Sequence, residues 1–275
     1  MLEINEDKKI ISQKVEEYTR VILDEYQDYI PDSLKQYLYE CDYSNLVKIE
    51  NTNTISLFVS NNLIYLPTNA YKIIDAMKKI PGFGSKKDHV THQIDNMIIN
   101  NNTFLDYIKH VFLKGLSARE YFLEILLHET MHLCGSCGSY GLQEGFTELK
   151  TRELAFKYNL KTSCCGYPKE TKIVLELQEI LGKSICDKIT FMKDQVDIYN
   201  LIKDYVGLDE ANLYVDIFNS VEKQFRSYIK QHFPGIIGPL RKTLEYSKLD
   251  YSEVRKIFDK YYQVKNKGNS NKRNR

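Results

Sequence analysis

The segment from Ser117 to Leu149, SAREYFLEILLHETMHLCGSCGSYGLQEGFTEL, decides how this chain is interpreted. It opens with a serine followed three residues later by a glutamate, a capping-box pattern that predicts a helix from Ala118 to Leu133. Several glycines end this helix, and a second helix is predicted to begin near Leu142. The polar residues of the segment therefore belong to two helices joined by a glycine-rich turn.

The pattern His-Glu-x-x-His on the first helix is typical of a metal site. His128 and His132 are four residues apart, so both imidazoles project from one face of the helix and can bind one ion. Glu129 is turned by about 100° around the helix axis, where its carboxylate can reach a water molecule on the open side of the ion. Zinc lowers the pKa of such a water, and a nearby glutamate can take its proton. The pattern predicts Zn²⁺ as cofactor and Glu129 as the catalytic base.

A third ligand is expected from the second helix. Glu144 lies twelve residues after His132, and Glu148 is one turn further along the same face. We predict that Glu144 is a ligand and that Glu148 accepts a hydrogen bond from a ligand histidine, although the spacing also allows the reverse assignment. Gly145 is expected to let the second helix pack closely against the first, and Arg152 is expected to form an ion pair with Glu148.

The motifs HETMH and EGFTE together resemble the gluzincin metallopeptidases, in which a helix after the His-Glu-x-x-His helix supplies a glutamate ligand. The resemblance covers approximately residues 118–158, and its short spacing suits a divergent bacterial or phage member. It implies that His128, His132 and Glu144 hold Zn²⁺ and that Glu129 is the catalytic residue. The implied fold is zincin-like, with this helix beside a small antiparallel sheet or hairpin. The implied function is hydrolysis of peptide bonds in a peptide or protein substrate.

Two other interpretations remain open. Cys134 and Cys137 form a Cys-x-x-Cys half-site, so together with the two histidines they could build a closed structural zinc site in a non-catalytic protein. Cys134, however, would project to the other side of the helix, and this arrangement leaves the glutamates without a role. The chain could also be a regulatory or docking module that retains a peptidase fold. Mutation of Glu129 would separate an enzyme from a structural site.

The remainder of the chain predicts a mainly α protein with a small β element, an α+β fold. Two β-rich runs, Ile55–Val59 and Leu63–Leu66, flank a Ser-Asn-Asn turn and predict a hairpin. This hairpin could stabilise the fold or offer an edge strand to a substrate, and the sequence favours neither. Apolar residues at helical spacing predict helices over residues 6–29, 32–40, 68–79, 169–181, 194–206, 209–231 and 251–264.

The predicted elements divide the chain into four parts. Residues 1–50 form an N-terminal helical segment, and residues 51–168 form a zincin-like catalytic core that contains the hairpin and the histidine helix. Residues 169–264 form a C-terminal helical subdomain. The last part, residues 265–275, is a polar, basic tail that we expect to be disordered.

Composition and charge limit the classes of partner. The chain has 275 residues, of which 43% are hydrophobic, so it is long enough for a large core. Its 38 basic and 37 acidic residues give a net charge of +1, and no overall field favours nucleic acid or an acidic membrane. The charged N-terminus lacks the apolar stretch of a signal peptide, and no apolar run is long enough to cross a membrane. We therefore expect a cytoplasmic protein with reduced cysteines.

Overall fold

The fold is rich in α-helix, as the sequence predicts. A computed structural model of the chain describes residues 2–50, 58–60, 63–67, 118–135, 141–160, 167–230 and 249–273. Its helices are α1 (Leu2–Tyr26), α2 (Asp32–Glu40), α3 (Ala118–Leu133), α4 (Gly141–Lys157), α5 (Pro168–Leu181), α6 (Lys183–Thr190), α7 (Gln195–Tyr205), α8 (Leu208–Lys230) and α9 (Ser252–Arg273). Its strands are β1 (Val47–Glu50), β2 (Phe58–Ser60) and β3 (Leu63–Pro67). None of the helices in these ranges is long and apolar enough to cross a membrane.

The bounds of α2 and α3 coincide with the predicted ones, whereas α6 was not predicted. This helix has only eight residues, which is too short for a clear apolar period. It follows directly on α5 because Gly182, with φ of 86°, adopts a backbone conformation that other residues rarely adopt. The helix predicted over residues 68–79 lies outside the described residues.

The small sheet has the strand order β1-β3-β2. Strands β2 and β3 are antiparallel, with Val59 opposite Ile64, so the predicted hairpin pairing is present. Residues 55–57 of its first predicted run lie outside the described part of the chain. Strand β1 was not predicted, and it pairs with β3 in parallel, with Val47 opposite Ile64. Both hairpin strands contact α3, so the sheet lies beside the helix that carries the histidines.

Two hydrophobic clusters hold α3 and α4 in place. In the first, Leu127 and Met131 of α3 pack with Val15 and Ile22 of α1. Burial of this face of α3 leaves the histidines, one position further around the helix, on a different face. The second cluster contains Phe146 of α4 together with side chains of α5 to α9. This cluster contains residues from both sides of the predicted boundary at residue 168.

The last helix extends further than predicted. Helix α9 continues to Arg273, so the backbone of the tail from residue 265 is helical up to that point, where the sequence predicts disorder. Lys265, the first residue of this tail, forms ion pairs with α8. Its Nζ atom lies 2.8 Å from Glu210 and 3.3 Å from Asp209. These ion pairs connect residues far apart in sequence, and a local pattern could not predict them.

Candidate metal centre

Three side chains from α3 and α4 converge in the interior of the protein. His128 and His132 lie one turn apart on α3, and Glu144 lies in the first turn of α4. Their exposed fractions are only 6%, 8% and 7%, respectively. Charged groups are rarely buried to this extent unless they are paired or bind a metal. These three residues together can hold a metal ion.

The three donor atoms form an equilateral triangle. The Nε2 atoms of His128 and His132 are 3.2 Å apart, and each lies 3.2 Å from Oε2 of Glu144. Tetrahedral zinc with nitrogen and oxygen ligands at its usual bond lengths separates neighbouring ligand atoms by about 3.3 Å. The donors of this chain therefore already have the spacing that such an ion requires. Within the described ranges, three donors account for three of the four corners of such a tetrahedron.

The electrostatics of the triangle also favour a cation. Burial lowers the pKa of His128, but hydrogen bonds and charges from Glu144 and Glu148 outweigh burial and hold that pKa well above its ordinary value. Burial raises the pKa of Glu144, but the two histidines outweigh it and lower that pKa to about 2. Glu144 is therefore ionised, and the site attracts positive charge. A divalent cation would compete with a proton for Nε2 of His128.

Glu148 contacts the opposite edge of the His128 ring. Its Oε2 atom lies 3.1 Å from Nδ1 of His128, and its Oε1 atom accepts a hydrogen bond of 2.8 Å from Nε of Arg152. The ion pair expected between Glu148 and Arg152 is confirmed. When Nδ1 carries the proton and donates it to Glu148, the lone pair on Nε2 points toward Glu144. Glu144 therefore lies at the Nε2 atoms of the two histidines, and Glu148 lies at Nδ1 of His128. The spacing in the sequence left this assignment open.

Glu129 lies outside the donor triangle. It is partly exposed, whereas the histidine that precedes it is buried. Its place on the helix turns its side chain by about 100° from that of His128. Glu129 adjoins His128 in α3 but does not belong to the group of possible metal ligands.

Tyr167 is a site residue that the sequence analysis missed. Its ring stacks on that of His128, with centroids 5.6 Å apart and planes inclined by 27°. The residue has φ of 39° and ψ of 52°, a left-handed conformation that costs a non-glycine residue roughly 1 kcal/mol or more. A residue before proline normally prefers an extended backbone, so the Tyr-Pro pair gave no signal of this conformation. Such strained residues are frequent at functional sites.

The expected role of Gly145 needs a correction. A Cβ atom at this position would lie 2.8 Å from the backbone carbon and oxygen of Glu170, which belongs to α5. The close approach that the glycine permits is therefore between α4 and α5, not between α4 and the histidine helix as predicted. The glycine indicated that the backbone of another helix approaches α4 at position 145. Which helix that is depends on tertiary packing.

Cys134 lies away from the donor triangle. It is completely buried in the hydrophobic cluster with α1, and burial raises the pKa of its thiol to about 12. Among the residues that the structure describes, the possible metal ligands grouped around His128 include no cysteine. Cys137 lies outside those residues.

Comparison of the chain with protein-family models, curated proteins and solved structures gives no significant match. The resemblance to gluzincins therefore rests on the site residues. The donor set limits which metal ions fit the site, because two imidazoles and one carboxylate suit zinc and other transition ions. Calcium and magnesium prefer sites made entirely of oxygen ligands.

Proposed function

We propose that this protein is a zinc-dependent metallopeptidase of the gluzincin type. The observation that carries the proposal is the buried triangle in which His128, His132 and Glu144 place their donor atoms 3.2 Å apart. Catalytic zinc sites use three protein ligands and keep a fourth position open, whereas structural sites are closed by four protein ligands. The described donor group has three members, which favours the catalytic type.

In this proposal each surrounding residue acts on a particular proton. Zinc, when bound, supplies a Lewis acid that lowers the pKa of water and polarises a carbonyl group. Glu129 takes the proton from the attacking water and gives it to the nitrogen of the leaving amine. Glu148 keeps the proton of His128 on Nδ1, so that Nε2 remains available as a ligand atom. Arg152 pairs with Glu148 and holds its carboxylate in place beside His128.

The sheet supports a zincin-like position for the substrate. The hairpin strands β2 and β3 contact α3, and β2 is an outer strand of the described sheet. An outer strand offers backbone donors and acceptors with which an extended peptide can pair as an additional strand. We propose that the substrate is a peptide or an extended segment of a protein, bound along this hairpin and across the histidine face of α3.

Substitution of Glu129 by Gln tests the proposal. We expect Glu129→Gln to keep its zinc, because Glu129 is not in the donor group, and to lose peptide hydrolysis by roughly a hundredfold or more. The measurements are metal analysis of the purified protein and hydrolysis of a fluorogenic peptide library. The exposed Glu179→Gln on α5 is the control and should leave both readouts unchanged.

Other outcomes of the same experiment would contradict parts of the proposal. A wild-type protein that binds zinc but cleaves no member of a broad library would favour the docking module over the enzyme. If Glu129→Gln hydrolyses peptides at the wild-type rate, Glu129 is not the base. Wild-type protein that contains no zinc after expression and reconstitution would contradict the metal site itself.

A further inference from the structure

We propose that Glu222, in the C-terminal helical region, is a positioning residue for the metal ligand Glu144. The proposal rests on the proposed role of Glu144 as a ligand. Glu222 lies on α8, which contacts α4, and its carboxylate reaches the first turn of α4. Nothing in the spacing of the metal motif points to this residue, since it follows Glu144 by 78 positions in the sequence.

The first contact is a helix cap supplied from another helix. The backbone N–H of Leu142 donates a hydrogen bond of 3.3 Å to Oε1 of Glu222, and the N–H of Gly141 also donates to this carboxylate. The first N–H groups of a helix have no partners within the helix, and an acceptor there stabilises the first turn. A negative charge at this end also interacts favourably with the helix dipole. Glu222 therefore fixes the start of α4.

The second contact is steric. A Cβ atom at Gly141 would lie 2.5 Å from Cγ of Phe225, which is one turn after Glu222 on α8. The ring of Phe225 also packs against Tyr167, with centroids 6.1 Å apart, and Tyr167 stacks on His128. Helix α8 therefore contacts two neighbours of the donor triangle, the start of α4 and the Tyr167 ring that stacks on His128.

Glu144 depends on this first turn for its position. It follows Gly141 by three residues in the same helix, and Gly145 on its other side lies against Glu170. The turn that carries the ligand is held between α8 and α5. Metal–ligand distances are set within a few tenths of an ångström, so even a small shift of the turn would move Oε2 of Glu144 out of the donor triangle. The contact from Glu222 is hydrogen-bonded and thus directional.

The chemistry of Glu222 is unusual for a cap that only stabilises a helix. It is 5% exposed, and its Oε2 atom accepts no hydrogen bond within the described part of the chain. Its ion pair with Nε of Arg226 is long, at 3.7 Å. Burial of a carboxylate costs free energy, which its hydrogen bonds to the start of α4 offset.

Zinc affinity and the visible spectrum of the Co²⁺-substituted protein test the proposal, because the spectrum reports the geometry of the ligands. We expect Glu222→Ala to weaken zinc binding by about tenfold or more and to change the Co²⁺ spectrum. Glu222→Gln keeps an oxygen acceptor for the two N–H groups and should stay within about threefold of wild type. The side chain of Glu222→Asp is shorter by one methylene, so its zinc affinity should lie between those of the Ala and Gln variants. This variant replaces Glu222→Ala in the test if the Ala variant does not fold.

The matched control is Glu210→Ala. Glu210 is a buried glutamate on the same helix, twelve residues away, and it pairs with Lys265 and Tyr261 instead of with α4. This variant should lower the melting temperature but leave zinc affinity and the Co²⁺ spectrum unchanged. Unchanged zinc binding in Glu222→Ala, or an equal loss in Glu210→Ala, would overturn the proposal while the metal site stands. Wild-type protein that binds no zinc would overturn the proposed function, and this inference with it.

Discussion

The Nδ1 atom of His128 lies 3.1 Å from Oε2 of Glu148, one helical turn beyond Glu144. This contact sets the orientation of the imidazole ring and directs its other nitrogen toward the donor triangle. The same glutamate binds Arg152, so a chain of side chains leads from the metal centre toward the surface of α4.

Removal of the Glu148 side chain should weaken zinc binding. Without this acceptor the Nδ1–H group of His128 is buried and unpaired, so we expect Glu148→Ala to lower zinc affinity by about tenfold to a hundredfold. Competition with a chromophoric chelator measures the affinity. The control is Glu153→Ala, a glutamate of the same helix that pairs with Lys150 and Lys183. An equal loss in the control would show that any broken ion pair in α4 has this effect.

Zinc should stabilise the folded protein through Glu144. A ligand that binds only the folded state adds about 2.7 kcal/mol to the free energy of unfolding at a concentration one hundred times its Kd. We expect the melting temperature of the wild type to rise with zinc and to fall back when a chelator removes it. Glu144→Ala should lose most of this shift, because one corner of the triangle is absent. A full shift in that variant would remove Glu144 from the ligand set.

Loss of Cys134 should leave zinc binding intact. The thiol is buried in the cluster with α1, so Cys134→Ala should lower the free energy of unfolding by about 1 kcal/mol through lost packing. The stoichiometry and affinity of zinc, measured by metal analysis and chelator competition, should equal those of the wild type. His132→Ala is the comparison variant and should lose the metal. Zinc loss in Cys134→Ala would support the closed histidine and cysteine site instead.

Alanine at position 145 should destabilise the protein, although alanine normally favours a helix over glycine by about 1 kcal/mol. The added Cβ atom would meet the backbone of Glu170 at 2.8 Å, and backbone atoms cannot rotate away. We expect Gly145→Ala to lower the free energy of unfolding by about 1–3 kcal/mol in urea denaturation. Glu179→Ala, at an exposed position of α5, should have little effect. A more stable Gly145→Ala protein would mean that α4 and α5 separate easily.

Glu210 should make stability depend on pH. Burial raises its pKa, but Lys265 and Tyr261 outweigh burial and lower the pKa below the ordinary value of 4.5. A carboxyl with a lowered folded-state pKa stabilises the protein above its unfolded-state pKa, and this stabilisation disappears as pH falls through the folded-state value. Glu210→Gln should therefore be less stable than the wild type near neutral pH, and the difference should shrink below pH 4.5.

Urea denaturation of both proteins across this acid range measures the difference. The exposed Glu179→Gln on α5 is the control and should follow the wild type at each pH. A difference between Glu210→Gln and wild type that stays constant from neutral to acid pH would show that the ion pair with Lys265 does not contribute. The tail of α9 would then need another contact to hold it on α8.

Sequence patterns predicted those parts of the fold that depend on nearby residues. The bounds of α3 follow from its capping box and its apolar period, and both are local properties of the chain. The hairpin strands were predicted from β-rich runs, whereas the four residues of β1 are too few to show alternation. The short α6 was not predicted for a similar reason, since its eight residues form little more than two helical turns.

The primary sequence by itself placed His128 and His132 on one face of the first helix. It likewise placed Glu144 and Glu148 on one face of the second helix, because residues four apart in an α-helix lie on the same side. Only the tertiary structure decided which glutamate lies beside which nitrogen of His128, and that Tyr167 covers that ring. It also brought Glu222 to the start of α4. These contacts join residues on different helices, and their distances depend on how the helices pack, which no local pattern encodes.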